Sequence, residues 1–264
     1  MFFRLSSLEV AVILFAIFFG ATLVGFALGR SLRHRLEHLR ESFGVLQAAL
    51  LGLVALLLAF GLTLAVGRYE SRRAAVVQEA NAIGTTYLRA QTLAEPIRTH
   101  SLDLIERYTD ASIRLSEAVP DSALAASAIA DQQRLQRRLW RLAGQALAGS
   151  PVASAPRLYV ETLNEMIDAQ TVVVAGRSNR VPGPVLVVEV AGAAIALALL
   201  SFYLAILSRG LITVALAAAL VTMLLLVTFD LDRPTRGLIR VPTTPLTNVR
   251  ASMVLPPAAA APPP

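Results

Sequence analysis

The chain has 264 residues, of which 55% are hydrophobic and only 16% are charged, a composition typical of neither a soluble domain nor a disordered chain. Its formal net charge of +6 comes from arginine alone, since there is no lysine, and the 24 arginines are spread along the chain instead of clustering on one nucleic-acid-reading helix. The absence of cysteine excludes disulfides and thiolate metal sites, and the absence of lysine excludes Schiff-base chemistry and a Walker-type phosphate loop. We therefore expect a membrane protein with no nucleic-acid partner and no cofactor.

The first predicted element is a membrane span over residues 10–28. A signal peptide is the alternative, because Arg4 precedes the apolar run. The run exceeds the apolar core of about 7–15 residues that signal peptides have, and no good cleavage site follows it. Gly25 and Gly29 form a small-xxx-small pair that would let another helix approach closely, although glycine that is simply tolerated in a span is an equal alternative.

The second predicted span, over residues 43–66, continues as an amphipathic arm to Leu93. The stretch contains no proline, and an unbroken helix of this length would be roughly 75 Å long. Steps of 100° per residue place the apolar residues of the arm in one arc: Val76, Val77, Ala80, Ile83, Gly84, Tyr87 and Leu88. The opposite side carries Gln78, Asn81, Thr85 and Arg89.

Residues 68–181 form the only polar region that is large enough for a domain. Prolines and glycines interrupt it at helix-scale spacing, and no stretch alternates apolar and polar residues as a strand would. After the arm, a second helix lies between Pro96 and Pro120, a third begins at a cap formed by Asp121 or Ser122 and ends at Gly149, and a fourth begins near Pro156. This pattern predicts an antiparallel four-helix bundle.

Two further spans are predicted over residues 185–207 and 211–229. The turn between them is short enough to require an antiparallel hairpin. The predicted fold class is therefore an all-α membrane protein with four transmembrane helices, two N-terminal and two C-terminal, and an intervening extramembrane helical bundle. The predicted boundaries are 1–67 for the first hairpin, 68–181 for the bundle, 182–229 for the second hairpin, 230–250 for a membrane-proximal motif and 251–264 for a disordered proline- and alanine-rich tail.

Two polar residues within the spans are candidates for an ion pathway. Glu189 is the one carboxylate inside a span, where ionisable groups are costly and often functional. It lies only about 6 Å along the helix from Val185, so a residue that reaches water at the interface is the alternative. Gln47 in the second span needs a polar partner, and it either lines a pathway or makes a helix-packing contact.

The segment that leaves the fourth span contains charged residues that we call the collar motif: Asp230, Asp232, Arg233 and Arg236. Two acids at the C-terminal end of a helix oppose its dipole and therefore favour cationic partners. Four crossings place them on the same side of the membrane as two arginine groups, namely Arg68, Arg72 and Arg73, and Arg177 and Arg180. We predict that at least one aspartate lies within salt-bridge distance of one of these arginines.

Two of these stretches resemble the bestrophin-like domain family of bacterial membrane proteins. The first runs from Arg68 to Arg89 and contains the family-motif residues Glu79, Asn81, Gly84, Tyr87 and Arg89. The second is Asp230–Pro234, with Gly237 beyond it. Together with the order of spans and helical domain, the resemblance covers nearly the whole chain. It implies kinship with bestrophin anion channels, which are pentamers with a central pore, and hence a multi-pass homo-oligomer of the bacterial inner membrane with inorganic anions as partners.

Three classes of function remain open. Arginine-rich collars, small-residue span faces and the bestrophin-like order favour an oligomeric anion channel in the lipid bilayer. The lack of an evident conduction path favours a membrane-anchored helical scaffold or sensor without transport activity. An enzyme is disfavoured, because the sequence has no serine elbow, zinc helix or phosphate loop, and because His34 and His38 lack a third metal ligand.

The side of the membrane that carries the bundle is also open. Four arginines lie between the first two spans, and the positive-inside rule then places the bundle on the extracytoplasmic side. The arginines at 68–73 and 233–240 favour the opposite orientation. We expect the extracytoplasmic orientation, because the first span usually dominates.

Overall fold

The structure is a computed structural model that describes residues 6–36, 40–207, 211–233 and 237–257. Within these ranges the chain forms α helices joined by short connections and contains no strand, which confirms the all-α prediction. The helices are α1 (Ser7–Leu36), α2 (Arg40–Ala90), α3 (Ile97–Glu117), α4 (Ala123–Gly149), α5 (Ser154–Ser178), α6 (Gly183–Ile206), α7 (Leu211–Leu231) and α8 (Thr244–Ser252).

Four helical stretches are long and apolar enough to cross a membrane, and they contain the four predicted spans to within one residue at each limit. Their bounds are Ser7–Arg33, Gly44–Ala90, Ser154–Ile206 and Ile212–Leu231. The second stretch is longer than a bilayer requires because the span of α2 continues as polar helix of the bundle region. The third is longer because it also includes α5, which ends at Ser178 before α6 begins at Gly183. Within these two stretches, residues 43–66 and 185–207 stay the predicted membrane-spanning parts.

The chain divides into two compact units. Unit 1 comprises Met1–Tyr69 and Arg180–Arg240, and it contains α1, the first part of α2, α6 and α7. Unit 2 comprises Glu70–Asn179 and Val241–Pro264, and it contains the rest of α2, α3 to α5 and α8. Helix α2 has 51 residues and supplies both units, as the proline-free stretch predicted.

In unit 1, α6 packs closely against α1 through the predicted small-xxx-small pair. A Cβ atom at Gly25 would overlap the backbone of Ala198, and one at Gly29 would overlap the carbonyl of Phe202. Beside this contact the buried Ser201 hydroxyl donates a hydrogen bond of 2.6 Å to the carbonyl of Thr22. The two glycines are therefore required for helix approach and are not merely tolerated.

In unit 2, the helix limits follow the predicted proline and capping signals. Helix α3 begins directly after Pro96, and α4 begins after Ser122, whose hydroxyl accepts a hydrogen bond of 3.1 Å from the Ala125 N–H. The core is built from α2, α3, α4 and α5 around fully buried residues: Ile83, Ile105, Tyr108, Leu139, Tyr159, Leu163 and Met166.

The predicted apolar arc of the arm is correct at its centre and too wide on one side. Val76, Ala80, Ile83 and Tyr87 are buried in the core of unit 2, as predicted. Val77 and Leu88 are 40% and 53% exposed, and Gly84 is half-buried. The buried arc extends to the other side instead, where it includes the polar residues Glu79 and Thr86. A search for apolar residues alone could not assign these two to the core.

The C-terminal segment differs from the predicted disordered tail. Residues 251–252 belong to α8, and Met253 is 4% exposed in the core of unit 2 together with Leu246. The two residues are seven positions apart, so two helical turns bring both apolar side chains to one face. Residues 251–253 therefore belong to the folded unit, whereas 258–264 lie outside the described residues.

Candidate functional site

A buried polar cluster lies at the centre of unit 2, and we call it the Glu79 network: Glu79, Ser112, Gln132, Gln136 and Gln170. Glu79 projects from α2 one turn before Ile83 and is 1% exposed. The Ser112 hydroxyl of α3 donates a hydrogen bond of 3.0 Å to Oε1 of Glu79, and the amide of Gln132 on α4 lies 3.4 Å from the same oxygen. Two donors from two neighbouring helices therefore converge on one buried carboxyl group.

Behind these donors the glutamine side-chain amides form a chain of hydrogen bonds in which all donors point the same way. The Gln132 amide also donates to the Ser112 hydroxyl at 2.8 Å, and the carbonyl of Gln132 accepts from the Gln170 amide at 3.2 Å. The Gln136 amide lies 3.5 Å from the carbonyl of Gln170 and 3.4 Å from the hydroxyl of Tyr108. The chain links α2, α3, α4 and α5, and its N–H groups point towards Glu79.

Burial raises the pKa of Glu79 to about 7, because the charged form loses solvation in the core. The hydrogen bonds from Ser112 and Gln132 and the charge of Arg177 lower the pKa by smaller amounts. Glu79 lies about 20 Å along α2 from Val66 and hence outside the membrane-spanning segment. The group therefore changes its protonation near neutral pH, where an ordinary glutamate does not.

Arg177 is a half-buried cation whose charge acts on this network. Its guanidinium donates a hydrogen bond of 2.6 Å to the carbonyl of Ala118. Burial lowers the pKa of Arg177, and the charges of Asp121 and Glu79 oppose this effect. Ionised Glu79 and Arg177 therefore favour each other's charged form.

The other family-motif residues of the arm have separate positions in unit 2. Gly84 faces Val249 of α8, to which an added Cβ atom would come within 3.2 Å, and the hydroxyl of Tyr87 donates to the carbonyl of Met253 at 3.0 Å. Arg89 donates to the carbonyl of Leu158 on α5 at 2.7 Å and lies 3.5 Å from Glu161. Asn81 is exposed. Gly84 thus leaves room for α8, and Tyr87 is hydrogen-bonded to the residue that follows α8. The sequence did not indicate these contacts.

In unit 1, both aspartates of the collar motif are buried and tie segments of the unit together. Asp230 accepts hydrogen bonds of 2.8 Å from the Ser7 hydroxyl and from the Ile239 N–H. Asp232 accepts from the Val181 N–H, which lies 3.1 Å from both carboxylate oxygens. These contacts join the beginning of α1, the segment before α6 and the end of α7. The motif therefore binds the helix ends of unit 1, as a structural role requires.

The glycine of the same signature, Gly237, lies against the carboxylate of Asp230. A Cβ atom at this position would lie 2.7 Å from the carboxyl oxygens of Asp230. Any other residue would therefore displace the carboxylate or the loop that carries the Ile239 donor.

The predicted arginine partners of the collar motif stay a prediction. Arg72 and Arg233 are buried, Arg68 is half-buried, and the exposed Arg73 lies 3.5 Å from Glu70. Arg236 lies outside the described residues. Sequence reasoning missed the neutral partners of the aspartates, because Ser7 is 223 positions from Asp230 and carries no charge to reveal it.

The two candidate pathway residues both lie where α2 meets α6 but at different levels. Glu189 is 3% exposed, and its carboxylate lies against Gly61, where a Cβ atom would overlap it. Gln47 is half-buried and lies beside Phe202 and Tyr203, about 21 Å farther along α6 from Glu189. The burial of Glu189 favours a pathway residue over a solvated one, and the neighbours of Gln47 favour a helix-packing contact. The role of each residue stays a prediction.

Among the described residues, no group of three or more histidine, aspartate or glutamate side chains is placed to hold a metal ion.

Comparison with known proteins matches residues 12–246 to the Bestrophin-like domain family. A solved structure of a bacterial bestrophin homologue from Klebsiella pneumoniae is similar with a TM-score of 0.65 and 13% identity, covering 90% of this chain and 96% of that chain. A mutant of that homologue has a TM-score of 0.65 and 12% identity over 89% and 97% of the two chains. A further structure, described as a membrane protein, has a TM-score of 0.63 and 13% identity over 94% and 97%. No curated protein matches the chain.

Proposed function

Because the chain belongs to the bestrophin-like family, we propose that it is an oligomeric anion channel of the bacterial inner membrane. The observation that carries this proposal is the exposure of α2. Only 17% of its most apolar window is buried, compared with 28% for α1 and 33% for α7. A long apolar helix with so few partners in its own chain has surface available for other copies of the protein.

The exposed surface of α2 is divided into two stripes. One stripe consists of small residues: Ala48, Gly52, Ala55, Ala59 and Thr63. The other consists of large apolar residues: Leu46, Leu53, Leu56, Phe60 and Leu64. Helices associate in membranes mainly through small residues, which allow their backbones to approach closely. The first stripe therefore supports packing against another copy, and a ring of copies would arrange their α2 helices around a common axis.

Charge supports an anion as the conducted ion. The net charge of the chain is +6, and arginines lie at the ends of the predicted spans, as at Arg30, Arg33 and Arg68. Repeated around a ring, such positive ends would raise the local concentration of anions at both mouths of a pore.

The test is ion flux through the purified protein in liposomes, measured with a chloride-sensitive dye inside the vesicles and repeated with sulfate and with a potassium gradient. We expect chloride flux that Ala59→Trp reduces at least about tenfold, because the indole fills the small-residue stripe. Ala191→Trp is the matched control, since Ala191 is an exposed alanine on α6. A folded wild-type protein that is monomeric and conducts no anion would contradict the proposal.

A membrane-anchored sensor is the second candidate function, and the Glu79 network favours it. A buried carboxyl group whose pKa is about 7 can convert a change of pH near neutrality into a change of bundle packing. A pH-dependent structural change in unit 2 without ion flux at any pH would support the sensor over the channel.

A further inference from the structure

An apolar groove lies between α2 and α6 in unit 1, and we call it the α2–α6 groove. Its volume is about 340 Å³, within the range of sites for small molecules. Its lining residues are Leu57, Phe60, Gly61, Leu64, Pro184, Val185, Val188 and Glu189. Phe60, Leu64 and Val188 are exposed, so a molecule dissolved in the bilayer can enter from the side.

The only charged residue in this lining is the carboxylate of Glu189. It is 3% exposed, and neither oxygen has a hydrogen-bond partner among the described residues. The carboxylate lies directly on the backbone of α2, because Gly61 has no side chain to exclude it. A buried carboxyl group without a donor is costly, and in a membrane span it marks a functional site.

We propose that the α2–α6 groove binds a small apolar molecule that carries one protonated amine, with the ammonium donating to Glu189. An ammonium supplies both the charge and the donors that the carboxylate lacks. The apolar walls accommodate the rest of the molecule, and Phe60 contributes an aromatic ring to this lining. An anionic amphiphile is repelled, and an alcohol of the same length gives only a neutral donor.

The occupant is a small molecule and not a membrane lipid. A volume of about 340 Å³ lies at the small end of the range for small-molecule sites, and the phosphate of a phospholipid headgroup would be repelled by Glu189. A side chain from a second copy of the protein is the competing occupant, and the experiment separates the two.

The experiment is labelling of Glu189 with dicyclohexylcarbodiimide, an apolar reagent for carboxyl groups in membranes. The carboxyl oxygen adds to the carbodiimide carbon while the proton passes to nitrogen, and the O-acylisourea rearranges to a stable N-acylurea. The purified protein in neutral detergent is labelled with and without n-octylamine, which is protonated at pH 7 as a lysine side chain is. Peptide mass spectrometry then measures the loss of the unmodified Glu189 peptide. This loss counts both the N-acylurea and the amide that unprotonated octylamine can form with the O-acylisourea as dicyclohexylurea leaves. Glu189→Gln is the blank.

We expect octylamine to slow the labelling of Glu189, and we expect n-octanol at the same concentration to have no comparable effect. Charge-assisted hydrogen bonds are about twice as strong as neutral ones, so the concentration of octylamine that protects half of the protein should be at least about tenfold lower than that of octanol. Val188→Phe fills the groove wall and should raise that concentration about tenfold. Val187→Phe is the matched control, since Val187 is an exposed valine on the same helix but is not part of the lining.

Three results would overturn the proposal. Equal protection by octylamine and octanol would show an apolar site without charge recognition. No labelling of Glu189 in folded protein would show that the groove does not lead to the carboxylate. Labelling that appears only on dilution to monomers would show that a second copy occupies the groove. The inference does not depend on ion conduction, because binding and labelling are measured without flux.

Discussion

The stability of unit 2 should depend on pH through Glu79. Its pKa rises from an ordinary value of 4.5 to about 7 on folding, mainly because burial removes the solvation of the charged form. The folded protein therefore holds a proton at pH values where the unfolded chain has released it. Stability is fully present below pH 4.5 and is lost as the pH rises through 7.

The size of the effect follows from the shift. A difference of about 2.5 pH units, at 1.36 kcal/mol per unit, amounts to about 3 kcal/mol between pH 4.5 and pH 8. For a protein of this size such a change lowers the melting temperature by roughly 5–10 °C. Glu79→Gln keeps a donor and an acceptor in the network but cannot ionise. The variant should match the wild type near pH 5 and exceed its melting temperature at pH 8.

The assay is thermal unfolding in detergent, followed by circular dichroism at half-unit steps from pH 5 to pH 8. The informative quantity is the melting temperature of Glu79→Gln minus that of the wild type, because other titrating groups contribute equally to both proteins. Glu165→Gln is the matched control, since Glu165 is an exposed glutamate of the same unit, and its difference curve should be flat. A flat curve for Glu79→Gln would refute the reasoning, and so would a curve that falls with pH.

Further predictions test the arm, the collar motif and the orientation. Ile83→Asp should unfold unit 2 or abolish expression, because it buries an unpaired charge at a cost of several kcal/mol. Arg89→Gln should lower the free energy of unfolding by roughly 1 kcal/mol in thermal unfolding. Equal tolerance of both substitutions would show that the buried face of the arm is assigned wrongly. Asp232→Arg should strongly lower the melting temperature, and a reciprocal change to aspartate in the predicted arginine partner, one of Arg68, Arg72, Arg73, Arg177 and Arg180, should partly restore it. Restoration by none of the five would contradict a salt bridge between these arginines and Asp232. Glu165→Cys should react with a membrane-impermeant maleimide added to intact cells, because we expect the bundle on the extracytoplasmic side. The natural chain has no cysteine, so no other residue contributes to the labelling. Labelling only after lysis would place the bundle in the cytoplasm.

The helices could be predicted because their signals are local. Prolines, a serine cap and apolar runs of span length lie within a few residues of the limits they set, as at Pro96, Ser122 and Gly149. The close approach at Gly25 and Gly29 was predictable as a possibility for the same reason. Helix α8 was missed because its nine residues, with one buried apolar side chain, are too few to show a helical period.

The partners of the buried polar groups could not be predicted, because they come from distant parts of the chain. Glu79 meets Gln132 across 53 positions, and Asp232 meets Val181 across 51. Several of these partners are backbone N–H groups or neutral side chains, which leave no charge pattern in the sequence. The argument from helix dipoles correctly required partners for the two aspartates but could only name arginines, since these were the visible cations.

The four buried acidic residues differ in the donors that the fold supplies to them, and this difference favours a different role for each kind. Asp230 and Asp232 accept hydrogen bonds from the backbone and from Ser7, which supports the predicted structural role. Glu79 accepts from a hydroxyl and an amide in a bundle core, which leaves it able to exchange a proton but closed to anything larger. Glu189 has no donor among the described residues and lies at an open groove. Of these four described acids, only Glu189 combines the lack of a donor with space for a molecule that can supply one.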